Sequence, residues 1–173
     1  MTMKLTKLLL VLAAGLMIIR RDSPVVAGTA TANLQVSVSV NSNCTISSTA
    51  VTFSNYDPIS THATDPADST GGAVTVTCTK GTSANIGLDL GANFSGSQRR
   101  MKDGGATPNY INYQLFSDSG RTTEWGNASG SWLSPAPAPD KNARSFTVFG
   151  RIPGGQDVPA GTYTDTVVAT VNF

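Results

Sequence analysis

The chain has 173 residues, enough for one domain with a real core and too few for two comfortable ones. Charged residues are 13% of it and the formal net charge is +1, which excludes the strong field that draws nucleic acid or a membrane surface. Thr, Ser, Gly, Ala, Asn and Val take the space instead, a mixture suited to pleated surfaces and turns.

The first element is an export signal. Lys4 and Lys7 precede an apolar run at residues 8–19. That run falls short of the roughly 20 residues of a spanning helix and suits the roughly 7–15 of a signal-peptide core. Val25 and Ala27 meet the small-residue rule for cleavage after Ala27, with Ala30 and Ala32 as alternatives. Arg20 and Arg21 directly after the run would also suit an anchor, but the run is too short for one. The expected division is a signal peptide at 1–27, an N-terminal strand segment at 28–43 and a β domain at 44–173.

Beyond the signal, apolar residues recur with period two. Residues 33–40 place Leu34, Val36, Val38 and Val40 on one face, with Gln35, Ser37 and Ser39 on the other. Extended, they would span roughly 26 Å. Cys44 follows, and Cys78 ends the inward set Val74, Val76 and Cys78 of a strand at 73–79. An even pair of cysteines in an exported chain predicts a disulfide. A metal site would need further ligands, and a catalytic thiol would need a base; the one histidine, His62, lies in a Thr/Asp/Pro-rich loop.

Further strands are expected at 85–90 (Ile86, Leu88 and Leu90 inward), 110–116 (Ile111, Tyr113 and Leu115), 145–151 and 162–173. The last carries Tyr163, Val167, Ala169, Val171 and Phe173 in phase. Turn signals at Asp57-Pro58, Asp65-Pro66, Gly71-Gly72, Asp103-Gly104-Gly105 and Pro153-Gly154-Gly155 separate them. Short strands so punctuated predict a β-sandwich. The final strand has no Lys or Pro to blunt its edge, and the strand at 33–40 lies ahead of the disulfide-tied body. The pattern allows that strand to fold onto its own body or to join a neighbour's.

Catalytic sets are missing from the pattern. No G-x-S-x-G, P-loop or calcium-loop motif occurs, so an enzyme is not expected. Asp57, Asp65 and Asp68 read as solvated turn formers. Arg99, Arg100 and Lys102 read as a solvated hairpin. Trp125 and Trp132, with Tyr110 and Tyr113, suit core or edge packing better than a sugar-stacking platform. No cofactor, metal or small-molecule substrate is expected.

The residues also resemble a known family. The segment LQVSVSVNSNC ends at Cys44, and GGAVTVTCTKG surrounds Cys78. RRM (99–101), YQLFSD (113–118), Arg121 and Trp125-Gly126 follow. FTVFGRIP (146–153) and PAGTYTDTVVATVNF (159–173) close the pattern. In order and spacing these resemble the spore coat protein U domain family, with its archaic chaperone–usher (Csu-type) pilus subunits. The resemblance implies an incomplete immunoglobulin-like β-sandwich completed by a donated strand. It implies a periplasmic chaperone, an outer-membrane usher and other copies or related pilus subunits as partners, with export through the periplasm to the cell surface or secretion. Leu34, Val36, Val38 and Val40 would be donor side chains. Tyr163, Val167, Ala169, Val171 and Phe173 would line the acceptor groove. The implied role is a structural subunit polymerising by donor-strand exchange into a fibre for adhesion and biofilm formation. A spore or cell-surface coat protein, or a secreted carbohydrate-binding adhesin module, is the alternative.

Overall fold

The computed structural model describes residues 21, 22, 24–69 and 71–173; most of the expected export signal lies outside them. No helix occurs among the described residues, and none is long and apolar enough to cross a membrane. The chain falls into two units, Met1–Val38 and Ser39–Phe173. The described residues of the first are exposed and carry no strand.

The second unit is all β. Its strands are β1 (Cys44–Thr49), β2 (Ala67–Asp68), β3 (Ala73–Cys78), β4 (Asn85–Leu88) and β5 (Arg99–Lys102). They continue as β6 (Tyr110–Phe116), β7 (Arg144–Thr147), β8 (Phe149–Ile152) and β9 (Ala169–Asn172). One sheet has the order β1-β3-β7 and a second β2-β8-β6-β5, while β4 pairs with β9. All these pairs are antiparallel. A bridge from Lys102 to Thr164 runs the start of the C-terminal segment beside β5, before its end passes to β4.

The alternation sets the core. Val74 and Val76 of β3, Ile86 and Leu88 of β4, and Ile111, Tyr113 and Leu115 of β6 are buried together. Fully burying an aliphatic or aromatic side chain contributes about 1.5–3 kcal/mol. The result is the incomplete immunoglobulin-like sandwich expected from the sequence.

Three expected strands differ. Residues 33–40 form no ladder: Leu34, Val36, Val38 and Val40 are 89%, 86%, 87% and 77% exposed. An alternating pattern makes a strand only where a neighbour takes its main-chain groups. The single strand at 145–151 is two, because the chain changes sheets at Val148. Its N–H donates to Gly72 O, and its side chain is buried between β7 and β8. The strand at 162–173 is interrupted: Asp89 Oδ1, rather than a carbonyl, accepts from Val168 N–H at 2.9 Å.

Candidate functional site

Two strand edges in the second unit face an open groove. Alternate residues of an antiparallel strand turn their main-chain groups to opposite sides. Asn43 O accepts from Thr79 N–H, so Thr45, Ser47 and Thr49 are the residues bonded to β3. Cys44, Ile46 and Ser48 then point N–H and C=O away from β3, where β1 has no partner strand among the described residues.

The C-terminal segment is the opposite wall. Thr164, Thr166 and Val168 bond to Lys102, Ala92 and Asp89, and Thr170 and Asn172 lie in phase with them against β4. Tyr163, Asp165, Val167, Ala169 and Val171 therefore turn their main-chain groups to the unladdered side. Their side chains are half-buried, whereas Phe173 is exposed.

Between the walls lie two clefts. One, of about 390 Å³, runs from Ser48–Val51 to Val167 and Ala169 over Val74, Leu88 and Leu115. The other, of about 860 Å³, runs from Phe53–Tyr56 to Val158 and Tyr163 over Ile111 and Ile152. As one wall runs from 48 to 59, the other runs from 169 to 158, so the walls are antiparallel.

Asp165 lines both clefts. Its Oδ2 accepts from Tyr113 Oη at 2.7 Å, and its Oδ1 accepts from Asn93 N at 3.1 Å and Nδ2 at 2.8 Å. Burial, then the bond to Asp165, pushes the Tyr113 phenol far above its ordinary value, so it stays a neutral donor. Gly91 has φ +82°, and a Cβ there would lie 2.0 Å from Asp165 Oδ2. The carboxylate sits against a bare Cα.

A disulfide joins Cys44 to Cys78. Other sequence candidates are structural. Trp125 is wholly buried and donates Nε1–H to Ile86 O at 2.8 Å, so it offers no face to a sugar. His62 is buried, stacks on Tyr56, and accepts from Asp57 N–H at Nδ1. Asp57 caps a turn, taking Ile59 and Ser60 N–H. Two readings need correction. Asp68 is no solvated turn former: it lies in β2, bonded by Arg151 at 2.8 and 3.0 Å. Arg99 is no solvated cation either. It is 1% exposed and donates to Leu88 O, Asp89 O and Trp125 O, each at 2.8 Å. Burial lowers its pKa. Among the described residues no cluster of three His, Cys, Asp or Glu could hold a metal.

A family model described as the Spore Coat Protein U domain matches residues 30–170. The chain belongs to the spore coat protein U domain family. Protein U of Myxococcus xanthus, to which it is similar, is 38% identical over 168 residues, covering 87% of this chain and 89% of that protein. The fold is also similar to a chain in the crystal structure of the CsuC–CsuE chaperone–tip adhesion subunit pre-assembly complex, from the archaic chaperone–usher Csu pili of Acinetobacter baumannii. There the TM-score is 0.55, with 26% identity over 78% of this chain. This chain covers 40% of the length of that one.

Of the residues expected to line an acceptor groove in this member of the family, Tyr163, Val167 and Ala169 line the clefts, whereas Val171 and Phe173 line neither. The segment from Ser48 to Phe53 lacks clean alternation, so no pattern marked it. Asp165 was passed over because it is the polar member of an otherwise apolar phase; that interruption was its signal.

Proposed function

We infer that the chain is a structural subunit that polymerises by donor-strand exchange into a chaperone–usher surface fibre for adhesion and biofilm formation. The observation that carries this reading is the groove: the C-terminal segment turns the main-chain groups of Tyr163, Asp165 and Val167 toward two apolar clefts, with the end of β1 and the segment after it as the opposite wall. A strand laid there could bond to both walls while alternate side chains fill the clefts.

The segment at 28–43 supplies such a strand. Its Leu34, Val36, Val38 and Val40 are exposed, and burying each would contribute about 1.5–3 kcal/mol before ordering costs. Return into the chain's own groove as a hairpin would need a turn at 41–43. Those residues are instead held beside β3, with Thr79 Oγ1 donating to Asn41 O at 3.3 Å and Thr79 N to Asn43 O at 2.9 Å. Donation to a second copy needs no such rupture. A head-to-tail contact that does not close makes a filament. A periplasmic chaperone would hold the groove before assembly at an outer-membrane usher.

The test uses a chain lacking residues 28–40 and a peptide of residues 28–43. The shortened chain is expected to bind the peptide and to form no ladder on denaturing gels, while the full chain forms ladders. A shortened chain that folds yet ignores the peptide would sink the reading. The match to the Spore Coat Protein U domain favours a second reading, a coat protein assembled by the same strand addition. Co-expression with a periplasmic chaperone separates the two: a one-to-one complex favours the fibre, and assembly without one favours the coat.

A further inference from the structure

The geometry points to Asp165 as the residue that fixes the register of the incoming strand, by refusing a branched apolar side chain at one point of the groove. The inference rests on the strand-donation reading above.

Apolar burial alone leaves the register open. A slip of one residue would turn Gln35, Ser37 and Ser39 inward, and burial forbids it. A slip of two keeps the apolar face inward and largely exchanges valine for valine among Val36, Val38 and Val40. The main-chain bonds are equivalent in both registers, so a repeating apolar face needs one non-equivalent contact to select between them.

Asp165 is that contact. It is the polar member of the inward phase Tyr163, Asp165, Val167, Ala169 and Val171, and it stands where the two clefts meet. Tyr113 and Asn93 hold the carboxylate in place, and Gly91 leaves it no room to withdraw. Two carboxylate oxygens have about four acceptor positions. Three donors come from the protein, so part of the carboxylate still depends on water. A valine or leucine laid over it would remove that water and offer no hydrogen bond, which is costly for a charged group. A small side chain leaves room for the water.

The donor face has a matching division. N-terminal to Leu34 the same face continues as Ala32 and Ala30, so it is bulky in one half and small in the other. The clefts differ likewise, about 860 Å³ on the Tyr163 side of Asp165 and about 390 Å³ on the Val167 side. Seating the bulky half in the larger cleft places Ala32 over Asp165 and Leu34 beside Tyr163. The strand then runs antiparallel to the C-terminal segment, with Gln35 opposite Thr162.

Cysteine pairs on the outward face read the register without touching the groove. In the full chain, Gln35→Cys is combined in turn with Thr162→Cys, Thr164→Cys or Ala160→Cys, all exposed positions. Disulfides between copies are then quantified after assembly. The Thr162 pair is expected to exceed each of the others at least about tenfold, because a two-residue offset puts Cα atoms beyond bonding reach. Asp165→Val is expected to spread the yield over the three pairs, and Asp165→Asn to restore one. Should Asp165→Val fail to fold, Ala32→Val, on the exposed segment, carries the test. It is expected to move the dominant pair from Thr162 to Ala160 as Ala30 takes the place over Asp165. A dominant Thr162 pair that survives either valine overturns the inference, as does an even spread in the parent chain. Absence of assembly in the parent chain overturns the donation reading as well.

Discussion

Cys44 faces Cys78 across the β1–β3 ladder, and the disulfide between them holds their Cα atoms 4.1 Å apart. The pair sits next to the bonded pair Asn43–Thr79, at a position where strands approach closely and exchange no hydrogen bonds of their own. Among the described residues β1 has a laddered neighbour on one side only, so the covalent link clamps a groove wall that is otherwise held by half. The sequence separation of 34 implies about 3–4 kcal/mol in the chain-entropy model. Replacing both cysteines by serine is expected to lower unfolding stability by about that amount, read from urea transitions with and without reductant.

Donor side chains that are exposed in the monomer should matter only to assembly. Val36→Asp with Val38→Asp is expected to change monomer stability by under about 0.5 kcal/mol per site, as surface changes do. Ladder formation should be lost. Thermal unfolding and denaturing gels on the same preparation check both halves. A large fall in melting temperature would mean that these residues pack in the monomer.

Trp125 joins β4 to the loop after β6 through its bond to Ile86 O. Trp125→Ala is expected to cost about 3–5 kcal/mol from the cavity. Trp125→Phe should cost less, because Ile86 O still accepts from Leu133 N–H at 3.0 Å and only the indole hydrogen bond, about 0.5–1.5 kcal/mol, is lost besides the packing. Denaturant unfolding ranks the two variants. A Trp125→Ala protein as stable as the parent would contradict the buried placement.

Arg99 ties together three carbonyls from two chain segments, with Glu124 3.5 Å away at a half-exposed site. Lysine has one ammonium where arginine offers a planar fork. Arg99→Lys is expected to destabilise by roughly 2 kcal/mol or more, since at least one buried carbonyl loses its donor. The same urea transitions measure it, and Arg100→Lys, at a partly exposed position over Tyr110, serves as the mild control.

Acid should weaken the β2–β8 corner. The bond from Arg151 holds the Asp68 carboxyl below its ordinary value, and the charges of Arg121 and Arg151 lower it further. A carboxyl lowered in the folded state adds stability above its unfolded value of about 4 and loses it as pH falls through the folded value. Asp68 is 38% exposed, so the gain is modest and screened by salt. Melting temperature is expected to fall below about pH 4, and the gap between the parent and Asp68→Asn to close there. A gap that persists unchanged at pH 2 would reject the ion pair as its cause.

Much of this was legible in the chain. Period-two alternation located β3, β4 and β6 and named Val74, Val76, Ile86, Leu88, Ile111, Tyr113 and Leu115 as inward residues, because a strand's two faces are a property of neighbours in sequence. The cysteine pair was legible for a similar reason: with two cysteines, only one bridge within the chain exists. Three-dimensional contacts decided the rest. Only they show that Val148 divides one apparent strand between two sheets, and that the strand pattern at 33–40 goes unladdered. They also bury Arg99, which charge alone placed in solvent, and bring Tyr113 to Asp165 across 52 residues. Alternation states which way a side chain faces, and it is local. Which edge is left without a partner, and where a carboxylate interrupts the floor beneath it, depends on segments that meet only when the sandwich closes.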